Sequence, residues 1–522
     1  MALLLTIGMS LVAVPAQAQV SAFRQAVAEA AARDPDLAAF YRARGFDPVW
    51  SGADDAAISR RNALLGALTS ATVHGLPANR YDPQALVAEL RAARTPQEQG
   101  RMEVELSRIF LSYARDIQTG ILVPREVVSL IRREVPLRDR GELMLGFMEA
   151  NPAAFFRSLP PTAPEYIRLL RERLHLETVI DSGGWGPRVP SGLRPGASGE
   201  TVVALRNRLV AMGFLERTVT QTYDASIIEA VRRFQAAHGL EQDGVLGASA
   251  LREINQPAVI RMQSILVAME RERWMNMPRG DRHVWVNLTD FTATIVDFDE
   301  ITFRTRAVIG AGAADRQTPE FSDVMEHMVI NPSWYIPRSI IVNEYLPRLR
   351  SNPSAVSHLQ ITDSRGRVIN RATADFSRFS AASFPYAMRQ PPGPRNALGV
   401  VKFIFPNPHN IYLHDTPSRS LFAREVRAFS HGCIRLNDPR DFAYALLAVQ
   451  SDDPVGLFQG ILRSGRETHV ELETQVPVHL VYRTAYTSVD GQMQYRQDIY
   501  GRDARIWNAL AREGVAISDV QG

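Results

Sequence analysis

Apolar residues recur every three or four positions through the first 180 residues, and every second position after about residue 280. Ala26–Ala32, Ala63–Leu68, Leu86–Arg94 and Met102–Ile117 carry the helical period, with polar breaks between them. Phe40, Tyr41, Phe46 and Trp50 gather around Arg44-Gly45 and read as helix-packing aromatics. Residues 19–180 are thus expected to be a helical domain without chemistry of its own. Turn residues from Ser182 to Pro187 and from Pro190 to Gly199 mark a linker. In 195–255, Leu205, Leu209 and Met212 share a helical face that Gly213 ends, and Asp224 precedes a second face of Ile227, Ile228, Val231 and Phe234. This spacing predicts a compact three-helix module.

Residues 258–277 read as one helix ending Glu270-Arg271-Glu272-Arg273-Trp274, a polar stripe expected on a solvated face. After Pro278 the period becomes two. His283–Leu288, Ala293–Phe298, Thr302–Ile309, Val400–Phe405 and Asn410–His414 are expected strands of a mainly-β domain at 258–480. Asp438 and Pro439 mark a helix start, as N-cap and first residue. The long stretch at about 337–395 interrupts the strands. It reads as a capping lid, because apolar and aromatic residues recur in it. Residues 481–522 are expected to pack on the β domain or the helical one. The fold class is multidomain α+β.

Composition adds exclusions. The formal charge is +3 over 522 residues, and no dense Lys/Arg run or zinc-knuckle spacing points to nucleic acid. A pI near 9.0 suits an anionic polymer. Leu3–Val14 followed by Pro15-Ala16-Gln17-Ala18 resembles an export signal at 1–18, too short to span a bilayer and lacking a preceding Lys or Arg. No later stretch reads as a transmembrane segment. The chain is expected outside the cytoplasm, in the periplasm of a Gram-negative bacterium. There a single cysteine cannot mispair within the chain.

That cysteine, Cys433, lies in Ser430-His431-Gly432-Cys433-Ile434-Arg435-Leu436. A thiol nucleophile needs a base, a group that orients the base, and donors for an oxyanion. His414 is the candidate base, with the Asp415 carbonyl or carboxylate to fix its tautomer. If the cysteine segment is extended, His431, Cys433 and Arg435 share one face. Gly432 would leave nearby N–H groups open for an oxyanion. Arg435 would lower the thiol pKa or hold a substrate carboxylate. Two other readings stay open: an inert buried thiol, and zinc held by His409, His414, His431 and Cys433. The second lacks a metal-site spacing such as CxxC or HExxH.

Tyr412-Leu-His414-Asp-Thr416 followed by Ser430-His-Gly-Cys-Ile-Arg-Leu resembles the signature of L,D-transpeptidases with a YkuD-type catalytic domain. Asn331-Pro-Ser-Trp334-Tyr-Ile-Pro337 and Pro392-Gly393-Pro-Arg-Asn396 through Asn407 resemble the long, lidded subgroup of that family. Residues 195–255 are similar to a small peptidoglycan-binding module. The resemblance implies a helical scaffold domain, that module, and a mainly-β catalytic domain with an inserted capping subdomain. It implies Cys433 as nucleophile and His414 as proton acceptor and donor, with His431 and Gly432 completing the catalytic set. Arg435, Ser430, Asp415, Trp334 and Tyr335 are implied at the substrate. Asp415 stands where the family often has glycine or serine, so its side chain has no implied part. The implied reaction needs no cofactor and no metal. Its partners are peptidoglycan tetrapeptide stems, as donor and acceptor of a 3–3 cross-link, with wall-synthesis proteins around it. A carboxypeptidase acting on the same stems, and a non-catalytic wall-binding scaffold, are the alternatives.

Overall fold

The computed structural model describes residues 16–517, with side chains from Ala22 onward. The expected export signal therefore falls almost wholly outside the described residues. Helices Pro35–Ala43, Asp55–Thr69, Pro83–Ala92, Pro96–Thr119 and Pro164–Asp181 build the first domain. They outrun the periodic stretches because caps set their starts: Asp34, Asp54, Asp82 and Thr95 each accept a backbone N–H of the first turn. The aromatic cluster closes on a buried carboxylate. Glu103 accepts the Tyr41 hydroxyl at 2.9 Å and the Val49 and Ser51 N–H groups at 2.6 and 2.8 Å.

Helices Glu200–Ala211, Ala225–Ala237 and Ala248–Ile254 form the small module around Val202, Leu205, Leu209, Val231 and Phe234. Asp224 caps the second helix, as its position implied. The helix Ala258–Trp274 departs from expectation. Its polar stripe is no solvated face: Glu270, Arg271, Glu272 and Arg273 are all buried. Arg273 pairs with Glu270 at 3.0 Å, and Arg271 pairs with Glu320 at 2.6 Å and Asp503 at 2.8 Å. From Ile265 to Trp274 every residue of this helix is buried, its charges paired within the protein. It packs in the scaffold's core rather than with the β domain, and so do Ile506 and Leu510 of the C-terminal helix Arg502–Arg512.

The β domain begins with β1 (Arg282–Asn287), β2 (Thr292–Asp297), β3 (Glu300–Gly310) and β4 (Phe321–Ile330). The inserted part contributes β5 (Trp334–Tyr335), β6 (Gln360–Thr362) and β7 (Ala387–Gln390). The chain returns through β8 (Val401–Ile404), β9 (Leu413–His414), β10 (Ala428–Ser430), β11 (Ile434–Leu436) and β12 (Thr468–Val481). A hairpin of β13 (Ala485–Thr487) and β14 (Met493–Tyr495) follows. The main sheet runs β10-β3-β11-β9-β8-β4-β12-β1-β2, and the β2–β3 pairing closes it into a barrel. Val284, Ile295, Phe403, Leu413, Ile434 and Leu436 fill its core. Asp438 stands before the helix Pro439–Leu447 without capping it by its side chain; its carboxylate accepts the Thr305 hydroxyl at 2.8 Å instead.

The insertion is a folded cap. β5, β7 and β6 form a small sheet over Ile341, Leu349, Ile361, Phe376 and Phe384, a core separate from the barrel's. Its two ends are tied together. Buried Asn396 donates to the Pro332 carbonyl at 3.1 Å and the Pro391 carbonyl at 2.9 Å, and accepts Leu398 N–H at 2.8 Å.

Candidate active site

The site follows from strand register. β9 and β11 run parallel, with Leu413 opposite Ile434 and His414 opposite Arg435. Side chains alternate, so Leu413, Ile434 and Leu436 enter the barrel core while Tyr412, His414, Cys433 and Arg435 face the other way. Those four line a cleft of about 1460 Å³, roofed by the cap residues Trp334, Tyr335, Arg338 and Glu344. Cys433 and His414 are diagonal neighbours across two strands.

The cysteine segment is not extended through its length. β10 runs parallel to β3 and β11 antiparallel to it, so the chain reverses between Ser430 and Ile434. Gly432 sits in that reversal at φ +115°, a conformation open to glycine. The reversal gives three of these residues partners of their own. His431 lines the cleft with Cys433, but its Nε2 lies 2.5 Å from Glu344 of the cap, which Arg316 also approaches at 3.2 Å. The Gly432 N–H is no free oxyanion donor, because it bonds the Ser430 hydroxyl at 3.1 Å. Ser430 is no free substrate contact, because its hydroxyl donates to the Cys433 carbonyl at 2.5 Å and so holds the turn.

Asp415 supplies its backbone. Its carbonyl accepts His414 Nδ1–H at 2.5 Å, which leaves Nε2 as the bare, basic nitrogen. Its carboxylate does not line the cleft. It accepts Val400 N–H at 2.9 Å and Thr416 N–H at 2.7 Å. Gly399, at φ +61°, lies so close that an added Cβ would stand 2.1 Å from it.

Burial dominates the electrostatics. It pushes the Cys433 thiol up to about 11, against the lowering effects of Tyr412 and Arg435. It pushes His414 down to about 3, helped by the Arg435 charge and opposed by the Asp415 carbonyl. The resting pair is therefore neutral thiol and neutral imidazole. The thiol points at the Asn410 carbonyl 3.5 Å away. Arg435 keeps a buried Nε without a partner among the described residues, so its guanidinium is available to a bound carboxylate. His409 packs on Phe321 with ring centroids 5.2 Å apart, and no three His, Cys, Asp or Glu side chains gather for a metal among the described residues.

Several residues at the site were given no role by the sequence. The Tyr412 hydroxyl neighbours both the Cys433 thiol and Trp334, and its ring lies 5.6 Å from that of His414. Period-two alternation from His414 would have found it. Thr318, fully buried, donates to the Gly432 carbonyl at 2.7 Å and accepts Gly310 N–H at 2.9 Å. Arg502 in turn donates to the Thr318 carbonyl at 2.7 Å and pairs with Glu320 at 2.8 Å. Tyr500 donates to the Gly310 carbonyl at 2.5 Å.

Comparison with known proteins finds matches for three segments of the chain. Residues 281–457 match the YkuD family profile, described as an L,D-transpeptidase catalytic domain. Residues 35–173 match a scaffold domain, and 198–254 a "putative peptidoglycan binding domain". A curated protein of Haemophilus influenzae, named "Putative L,D-transpeptidase", is 31% identical over 242 residues, which are 46% of this chain and 48% of that protein. The chain thus spans about half the length of that relative. Crystal structures of L,D-transpeptidases from Xylanimonas cellulosilytica and Stackebrandtia nassauensis are 16% and 14% identical, with TM-scores of 0.19 and 0.22. Each covers 57% of this chain, and they are themselves covered to 100% and 97%. At these scores neither bears on the fold. The chain thus carries in series segments that match a scaffold domain, a peptidoglycan-binding domain and an L,D-transpeptidase catalytic domain.

Proposed function

We propose that this chain forms 3–3 cross-links between peptidoglycan stems through a thioester on Cys433. The observation that carries the reading is the grouping of a lone thiol, a neutral imidazole with a free Nε2 and an unpaired guanidinium on one sheet face under a cap. A neutral pair implies general-base catalysis during attack rather than a preformed thiolate. Cys433 Sγ bonds the carbonyl carbon of the third stem residue as its proton passes to His414 Nε2. The carbon–nitrogen bond to the terminal D-Ala breaks, and His414 returns the proton to the departing amine. The amine of a second stem attacks the thioester. Its proton reaches the leaving sulfur by way of His414, which restores the thiol. Arg435 is suited to a stem carboxylate, Tyr412 to the oxygen that becomes negative, and the cap to excluding water. The apolar run at Leu3–Val14 supports an exported location for this chemistry.

The test is mass spectrometry of the protein with a disaccharide-tetrapeptide, wild type against Cys433→Ala. An adduct on wild type alone, proceeding to a 3–3 dimer, is the expected result. An adduct that yields only tripeptide would make the protein a carboxypeptidase. No adduct and no turnover in folded protein would leave a wall-binding scaffold.

A further inference from the structure

A second cavity, of about 600 Å³, lies apart from the thiol. One wall is Gly239–Gln242 of the peptidoglycan-binding domain, a second is the outer face of β1–β3, and a third is the β13–β14 hairpin. The fourth is Phe422–Arg427, part of the segment that joins His414 to Cys433. The same segment lines the active-site cleft at Thr416–Ser418. One segment thus contributes to the lining of both cavities, at different residues.

The charge in the second cavity is not all spent within the protein. Arg427 is structural: it donates to the Ala307, Arg424 and Asp290 carbonyls at 3.2, 3.0 and 3.2 Å. Arg304, Arg306 and Arg424 differ. All three are exposed, and among the described residues none pairs with a carboxylate. Arg306 makes one hydrogen bond, to the Phe422 carbonyl at 3.3 Å. Asp290, the cavity's inner acid, is already held by the Thr292 N–H at 3.1 Å and the Tyr486 hydroxyl at 2.9 Å. Glu241 and Glu425 are exposed acids in the walls and offset part of the positive charge. Free guanidinium groups in a concave site select carboxylates, which they can bind two-pronged, and a concave wall focuses their field.

We propose that this groove binds the carboxylate-bearing stem peptides of a glycan strand that are not themselves reacting. A strand held by the peptidoglycan-binding domain would run along β3 and the segment that lines both cavities, presenting its next stem to Cys433. This extends the proposed transpeptidase reading and rests on it for the identity of the polymer.

The test uses the full chain with an Arg304→Glu, Arg424→Glu pair and a milder Arg304→Gln, Arg424→Gln pair. Co-sedimentation with purified peptidoglycan is measured at two salt concentrations, with intact stems and after enzymatic removal of the stems. Expected is a loss of affinity for intact peptidoglycan of about tenfold in the Glu pair and less in the Gln pair, larger at low salt. Acylation of Cys433 by a soluble disaccharide-tetrapeptide should be unchanged in both. Wild type should bind stem-free glycan no better than the Glu pair binds the intact polymer. Undiminished binding by the Glu pair overturns the groove, and so does equal wild-type binding to stem-free glycan. Failure of wild type to acylate Cys433 would instead remove the catalytic reading and leave the binding result to stand by itself.

Discussion

Cys433 shows how burial can outweigh a favourable neighbour. Arg435 beside a cysteine reads as a device for making thiolate, yet burial raises the thiol to about 11. Reactivity in the empty cleft should therefore track hydroxide. The rate of Cys433 alkylation by iodoacetamide is expected to keep rising through pH 9, where a preformed thiolate–imidazolium pair would show a plateau. Because His414 sits near 3, it does not take up a proton between pH 8 and 5, so the acylation rate should show no limb in the usual histidine range. Tyr412→Phe removes the hydroxyl beside the thiol. Acylation should slow by about 10²-fold, with KM changed little, if that hydroxyl stabilises developing charge; an unchanged rate would remove it from the proposed mechanism. Cys433, His414 and Arg435 were legible because they fall in two short peptides. Ser430, Gly432 and His431 fall in the same peptide, but the reversal at Gly432 gives them partners that their spacing did not foretell. Glu344 was invisible, since only the folded cap brings it to His431.

At the scale of elements, alternation exposed β1 to β3 and the short β8 and β9, but not the ten-residue β4. The first three barrel strands span six or more residues each, enough for a period of two to register. The cap's three strands have two to four residues each, and the cap helix contains a π turn at Ile341–Tyr345, so neither period shows. Its two flanking motifs, by contrast, were read as family marks and prove to be a joint: Asn396 ties Pro332 to Pro391. Asn396→Ala leaves buried carbonyls unpaired and should cost about 2–4 kcal/mol of cap stability. Limited proteolysis should then cut within 340–390 before the barrel, and hydrolysis of the thioester should rise relative to cross-linking. Gly399→Ala forces a Cβ onto the Asp415 carboxylate and occupies a left-handed backbone. It should cost about 1–3 kcal/mol, through strain and displacement of the carboxylate. A melting temperature equal to wild type would contradict the close approach.

Across the whole molecule, a buried polar chain joins the parts. Arg271 of the scaffold-core helix meets Glu320, Glu320 meets Arg502, Arg502 holds the Thr318 carbonyl, and the Thr318 hydroxyl holds Gly432 next to the thiol. The stripe that contains Arg271 read as solvated because charged residues are exposed far more often than buried. Only partners distant in sequence, such as Glu320 and Asp503, make its burial affordable. Glu320→Gln leaves two buried guanidinium groups undercompensated and should cost about 3–5 kcal/mol. If the chain positions the turn, the variant's Cys433 alkylation should change under conditions where circular dichroism still reports a folded protein. The dependence has a further consequence. Tyr500 and Arg502 follow Cys433 far along the chain, so a polypeptide delivered from its amino end presents the thiol before it presents the residues that brace it. The turn that carries the thiol is braced only once that later stretch has docked. An incompletely folded copy would then hold Cys433 on an unsupported turn.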